Sequence, residues 1–337
     1  MRPKLDLFLL RASLTASAET TYFSGSLHLF TTRLIEAIDH VLANEAAYGP
    51  DTVRAFASHI RSAERYLSGS TTKESPSELE YCLRHALRTR INRDFLITTA
   101  LTEDQNFHFL PSDPWQFILK TISGYDAKGF DALLVQLGVP KIYCRKPIFC
   151  IPLYHELGHF VDVYYGVTRL SLLTHSILHP TLQSHRLEHF ADLFAACYVG
   201  TSSINTLQTI APNAPTSNSH PSTADRVALV EKLLTGQNDP LIQMFGDLMA
   251  RLWAGSLAPV FTAPTLKQSF DDVRTYRIAD MSELHGIFES AWNYLADALD
   301  RRSPPWIKLN FTDDLTEKSI RNMSIRERWA SGSAPAP

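Results

Sequence analysis

An α+β fold, mostly helical with one small sheet, is predicted by three observations. Apolar residues recur at three- and four-residue steps along much of the chain, with Leu27, Phe30, Leu34, Ile38 and Val41 forming the clearest stripe. Two short runs of β-forming residues, Phe95-Leu96-Ile97-Thr98-Thr99-Ala100 and Phe107-His108-Phe109-Leu110, flank a polar turn. No apolar run reaches the roughly 18 residues of a membrane span, so no transmembrane helix is expected.

The elements follow in order. Met1 to Ala18 begins with Arg2 and Lys4 and contains Leu7-Phe8-Leu9-Leu10. Asp6 and Arg11 interrupt that stretch, so a cleaved secretory signal is not expected and a cytoplasmic location is. A second helical stripe, Val53, Phe56, Ile60 and Leu67, starts after Asp51, read as an N-cap. A third opens at Ser75-Pro76-Ser77-Glu78, with Ser75 as cap, and carries Leu79, Cys82, Leu83, Ala86 and Leu87. Beyond the two strands, a helical stretch runs from Trp115, with a break near Gly124, to Leu137. Lys141-Ile142-Tyr143-Cys144-Arg145 alternates like a strand that Pro147 stops. Ile151 to Tyr165 and Leu182 to Val199 have helical period. Thr201 to Thr223, rich in Ser, Thr, Asn and Pro, reads as a long loop. Helices near Ala224–Leu234, Leu241–Trp253 and Glu283–Leu299 precede a polar, frayed tail. The organisation expected is a helical N-terminal region (1–92), a core (93–235), C-terminal helices packed on it (236–300) and a polar tail (301–337).

Composition narrows the function. The chain of 337 residues is 45% hydrophobic and 20% charged, which excludes wholesale disorder. A net charge of −3 gives no general attraction to nucleic acid or anionic membrane, and neither is an expected partner. Arg84, Arg88, Arg90 and Arg93 read as a solvated helix face. Four cysteines without a C-x-x-C pair exclude a disulfide scaffold and a cysteine-only metal site.

The chemistry is carried by His155-Glu156-Leu157-Gly158-His159. On a helix, residues four apart share a face, so both imidazoles can address one cation. Glu156 lies about 100° around the helix, where it can hold a water and act as general base. Gly158 costs about 1 kcal/mol in a helix interior, which points to close approach by another backbone or by substrate. A catalytic zinc needs a third protein ligand and an open position. Glu188-His189-Phe190-Ala191-Asp192 supplies one. Glu188 and Asp192 share a helical face, and Ala191, Ala195 and Ala196 permit close helix packing. Glu188 reads as the third ligand. Asp192 reads as the acceptor for the far nitrogen of a metal-bound histidine. His185 and His189 also stand four apart, but neither has such a partner. Asp162 would have to bind from the same helix as His159, which strains a tetrahedron. Tyr154, Tyr164 and Tyr165 could each offer a phenol but read as packing residues, and His175 and His179 as solvated loop residues.

This pattern resembles the gluzincin metallopeptidases, in which a Glu of an E-x-x-x-D helix is the third ligand. His220-Pro221-Ser222-Thr223-Ala224-Asp225-Arg226 is similar to the H-P-x-x-x-x-R segment of HtpX/Ste24-like peptidases. The H-E-L-G-H and E-x-x-A-D-x-F-A pair is similar to ImmA/IrrE-type peptidases. Asp162-x-x-Tyr165-Gly166 echoes an aspzincin signature. The HtpX/Ste24 group is membrane-embedded, and there this chain departs from it. The resemblance covers about residues 140–235 and implies a zincin-like core with Zn2+ held by His155, His159 and Glu188. Glu156 would be the general base, with His220 or Arg226 near the substrate oxyanion. An edge strand at Ile142, Tyr143 and Cys144 would take up substrate backbone. The implied activity is peptide-bond hydrolysis; a cytosolic enzyme must spare its neighbours, so a specific intracellular protein or peptide target is expected, and the large N-terminal helical region, outside the resemblance, is a candidate surface for a regulatory protein partner. The alternatives are a catalytically silent, metal-stabilised sensor and a zinc hydrolase of a non-peptide amide or ester.

Overall fold

A computed structural model describes residues 2–104, 106–174, 179–299 and 305–332. In chain order the N-terminal elements are α1 (Arg2–Ala18), α2 (Ser26–Ala43), α3 (Pro50–Ser68), α4 (Ser77–Arg88), β1 (Phe95–Thr102), β2 (His108–Leu110), α5 (Pro114–Thr121) and β3 (Leu133–Pro140). Then follow α6 (Pro152–Tyr165), α7 (Val167–Thr174), α8 (Pro180–Val199), α9 (Ser202–Ile210), α10 (Thr223–Leu234), α11 (Pro240–Arg251), α12 (Lys267–Asp271), α13 (Met281–Leu299) and α14 (Pro305–Ala330). The fold is mostly helical with a small mixed sheet, as the periodicities predict. No helix among the described residues is long and apolar enough to cross a membrane.

The chain forms two compact units, Met1–Glu80 with Arg93–Arg145 and Tyr81–Asn92 with Lys146–Pro337. They cut across the expected boundary at residue 92, because α4 passes from the first unit to the second.

In the first unit α1, α2, α3 and α5 share one core. Leu7 and Leu14, Phe30 and Leu34, Phe56 and Ile60, and Trp115 and Ile118 are all buried there. The helix starts differ from those expected. Gly49 precedes α3 and Asp51 lies inside its first turn. Ser75 does not cap α4; its hydroxyl donates to the Gly69 carbonyl. The sheet runs β1-β3-β2, with β1 parallel and β2 antiparallel to β3.

Two expectations fail in this unit. The helix expected to reach Leu137 ends at Thr121, and Leu133–Pro140 is the central strand. A strand buried on both faces has no alternation, so its apolar run reads like buried helix. Gly138 marks it, because a side chain there would occupy the space of the His108 ring. Lys141–Arg145 forms turns rather than a strand. Tyr143 N bonds back to the Pro140 carbonyl, and Ile142 is exposed. Ile142, Tyr143 and Cys144 therefore present no strand edge for a substrate.

The second unit is built on α6 and α8. A Cβ on Gly158 of α6 would meet Ala191 Cα of α8 at 2.7 Å and Phe194 Cβ at 3.1 Å, so the helices touch where only a hydrogen fits. Around them α13 buries Leu284, Ile287, Phe288 and Ala291. Gly166, left-handed at φ 68°, ends α6. The loop expected at Thr201–Thr223 contains α9, and the polar tail expected beyond 301 contains α14, which buries Leu315, Ile320 and Met323. Sparse apolar positions in a polar segment hid that stripe. His175 and the end of the tail, 333–337, lie outside the described residues.

Candidate metal centre

His155 and His159 project from one face of α6, and their rings meet edge to face with centroids 4.6 Å apart. Glu188 comes from α8, one turn before the Gly158–Ala191 contact. His155 Nε2 lies 3.4 Å from Glu188 Oε2, and His159 Nε2 lies 3.6 Å from Glu188 Oε1. One ligand atom from each of the three residues lies within 4.8 Å of the others, so the group could hold a metal ion. A tetrahedral zinc with ligands at about 2.0–2.1 Å sets neighbouring donors about 3.3 Å apart. The two His–Glu distances lie near that edge length, each to a different oxygen of Glu188, so the three side chains converge where one ion could be held.

Behind them stands a second layer. Asp192 Oδ1 lies 2.9 Å from His155 Nδ1, in a contact whose alignment falls short of a formed hydrogen bond. Arg226 of α10 donates from Nε and Nη2 to the two Asp192 oxygens, both at 2.7 Å. Its Nη2 also lies 3.4 Å from Glu188 Oε2. One guanidinium thus grips both the ligand carboxylate and its neighbour, in the forked geometry that suits arginine.

The charges are unbalanced without a cation. Burial opposes the imidazolium form of His155, but Asp192 and Glu188 outweigh it and raise its pKa to about 10. Burial, then the charge on His155, pushes His159 down to about 4. Facing each other, the two rings carry one positive charge, on His155, and His159 is neutral. Burial opposes the charge of Glu188, yet His155, His159 and Arg226 draw its pKa down to about 2. Burial likewise opposes the charge of Asp192, and Arg226 and His155 carry it well below the usual carboxylate range. Once the proton on His155 is displaced, formal charges on Glu156, Glu188 and Asp192 against Arg226 leave two negative charges, which a divalent cation would neutralise.

Glu156 is buried on α6 beside the two histidines, and its charge helps hold Arg226 protonated. His220, on the loop before α10, reaches the same place, with Nε2 3.5 Å from Glu188 Oε1. The structure therefore gathers His155, Glu156, His159, Glu188, Asp192, His220 and Arg226. Arg226 is committed to carboxylates rather than open for a substrate oxygen.

The other residues considered lie elsewhere. Asp162 accepts from Thr168 N at 2.6 Å and joins α6 to α7. Tyr154 points into the core, its hydroxyl 2.9 Å from His285 Nδ1. Tyr165 donates to the Arg90 carbonyl, and His179 is exposed ahead of α8. His189 is half-buried outside the ligand group, and burial lowers its pKa. Arg90 is buried and donates to Tyr198 Oη, Ala254 O and Ser256 O, so the arginine cluster is not a uniform solvated face.

Sequence reasoning weighed His185 only as a rival ligand and missed its contact with the loop. Its Nε2 bonds the Ser217 carbonyl at 2.7 Å and pins the loop that carries His220 to α8. The signal was present, since His185 precedes Glu188 by three residues and shares its face, but its partner is a backbone atom that no side-chain motif reports.

No known protein family, curated protein or solved structure matches this chain.

Proposed function

We propose that the chain is a zinc-dependent metallopeptidase of gluzincin type that cleaves a specific protein or peptide. The observation that carries the reading is the convergence of His155, His159 and Glu188 into one group that could hold a metal ion, with Glu156 on the helix that carries both histidines. His155, His159 and Glu188 would hold the ion, which when bound supplies Lewis acidity and brings the pKa of a coordinated water toward 7.

The chain's own residues do the rest. Glu156 accepts the proton of the attacking water and passes it to the leaving amine nitrogen, which restores the carboxylate for the next turnover. His220 faces the group from the loop side, where it can donate a hydrogen bond to the scissile carbonyl oxygen as charge develops. Asp192 orients His155 and raises its basicity, and Arg226 fixes Asp192. A structural metal site would not need a carboxylate next to a ligand histidine on the same helix, and that placement of Glu156 favours turnover over a silent module. The substrate class rests on the resemblance of the motif.

Glu156→Gln is the direct test. The variant should bind zinc as the parent does and lose turnover of a host-proteome peptide pool by about 10²–10⁴-fold. Full activity in that variant, or chelator-resistant activity in the parent, would overturn the mechanism.

A further inference from the structure

We propose that the outer face of α1 is the contact through which two copies of this chain pair, helix against helix and antiparallel about a twofold axis. The inference concerns the first unit and does not draw on the metal reading.

α1 is apolar on two sides. Leu7, Leu10 and Leu14 are buried in the core of the first unit. At about 100° per residue, Leu5, Phe8, Leu9, Ala12 and Ala16 gather within one arc on the opposite side. All five are exposed, Leu5 by 58%, Phe8 by 54% and Leu9 by 60%. Three large apolar side chains clustered on one face in water mark an interaction surface, unlike apolar residues scattered singly. The helix is fastened along both edges, so this face is held in place. Toward α2, Lys4 pairs with Glu45 and Arg11 with Asp39. Toward α3, Asp6 lies 3.7 Å from Arg61, and Ser13 donates to Glu64 Oε1 at 2.8 Å. The result is an apolar centre inside a polar rim, the anatomy of a protein interface.

Two features of the face select a second copy as its occupant. The first is charge. Lys4, Asp6 and Arg11 each have an opposite partner within the same copy, so the rim offers no free cationic row to an anionic membrane and no net charge to a charged protein. The second is size. Leu5, Phe8 and Leu9 lie in the first half of the helix, Ala12 and Ala16 in the second. An antiparallel twofold centred between Leu10 and Arg11 sets Leu5 over Ala16 of the second copy and Leu9 over Ala12 of the second copy. Each large side chain then meets a small one, and the face is complementary to itself, as a twofold contact requires. A helix of 17 residues is about 25 Å long. Two such faces with their rims bury on the order of 1,000 Å² in total, the low end of specific interfaces, which makes the dimer reversible.

Analytical ultracentrifugation of the full-length protein tests this. Across about 1–200 µM the parent should pass from monomer to dimer, with a Kd on the order of 10 µM. Phe8→Glu and Leu9→Lys should each weaken association at least about tenfold while keeping the parental circular dichroism and Tm, because both side chains are exposed in the monomer. Thiol cross-linking reads the direction of pairing, since the four native cysteines are buried. A mixture of Leu5→Cys and Ala16→Cys should be joined by a short bis-maleimide. Leu5→Cys alone should not, because antiparallel pairing holds the two copies of that position about 16 Å apart along the axis. A parent that stays monomeric, a dimer that survives both charge substitutions, or cross-linking of Leu5→Cys alone overturns the inference. So does a monomer that floats with phosphatidylcholine or phosphatidylserine vesicles and loses that binding in Phe8→Glu.

Discussion

His155 sits between two carboxylates. Its Nε2 faces Glu188 and its Nδ1 faces Asp192, and together they raise its pKa to about 10 against the penalty of burial. A cation must displace that proton to reach Nε2. The sign follows: between about pH 6.5 and 9 each ion taken up releases one proton, so zinc affinity should rise about tenfold per pH unit. In the metal-free protein the same proton stabilises the fold below about 6.5, its unfolded value, and that contribution is lost as pH climbs toward 10. Asp192→Asn removes the nearer carboxylate. Isothermal titration across that range should show a flatter slope and affinity weakened about 10–100-fold at pH 7. An unchanged slope would mean that Asp192 does not set the proton affinity of His155. At this scale the sequence was informative, because i,i+4 spacing projects His155 with His159, and Glu188 with Asp192, onto one side of a helix whatever surrounds it. Arg226 was readable as a site residue but not as a clamp on two carboxylates, since its partner Asp192 lies 34 residues away.

At the scale of elements, α6 and α8 must stay close for the donors to converge. Gly158 and Ala191 set that distance. Gly158→Ala should gain up to about 1 kcal/mol of helix propensity but lose roughly 1–3 kcal/mol to overpacking, because the new Cβ meets backbone rather than a side chain that could turn away. The second effect should prevail. Thermal unfolding is expected to show a lower Tm, and zinc affinity should fall because the helices are wedged apart. A variant with parental Tm and affinity would show that the contact is slack. The glycine's role was legible as a helix residue that local propensity cannot explain. The paired elements β3 and Lys141–Arg145 were not. β3 is buried on both faces and hides its period, whereas Lys141–Arg145 imitates alternation while its backbone turns. α9 and α14 were missed for a related reason, since a helix in a polar segment needs only a few buried side chains, such as Leu315 and Met323, to be held in place.

At the scale of the molecule, the second unit is stitched from distant segments, and no periodicity announces which segments meet. Arg90 ties residues 81–92 to Tyr198, Ala254 and Ser256, and Asp313 ties α14 to the start of the site segment by accepting from Ile148 N at 3.1 Å. Asp313 makes this dependence measurable. Burial raises its carboxyl to about 7, against 3.8 for a free side chain, with Lys146 3.9 Å away as partial relief. Between those values the folded chain holds a proton that the unfolded chain has released, so this group costs stability as pH rises from about 4 through 7. Asp313→Asn keeps an oxygen for Ile148 N and removes the charge. Denaturant unfolding of the metal-free protein should find the variant more stable than the parent by roughly 1–3 kcal/mol at pH 8, the usual size of a poorly satisfied buried polar group. At pH 4 the difference should vanish, because Asp313 is protonated there in the folded state. His159 and His285, pushed down by burial to about 4 and 3, act in the opposite sense, lowering stability as pH falls below about 6.5 in parent and variant alike. A gain of equal size at both pH values would therefore trace to packing at the Ile148–Asp313 contact rather than to the buried charge.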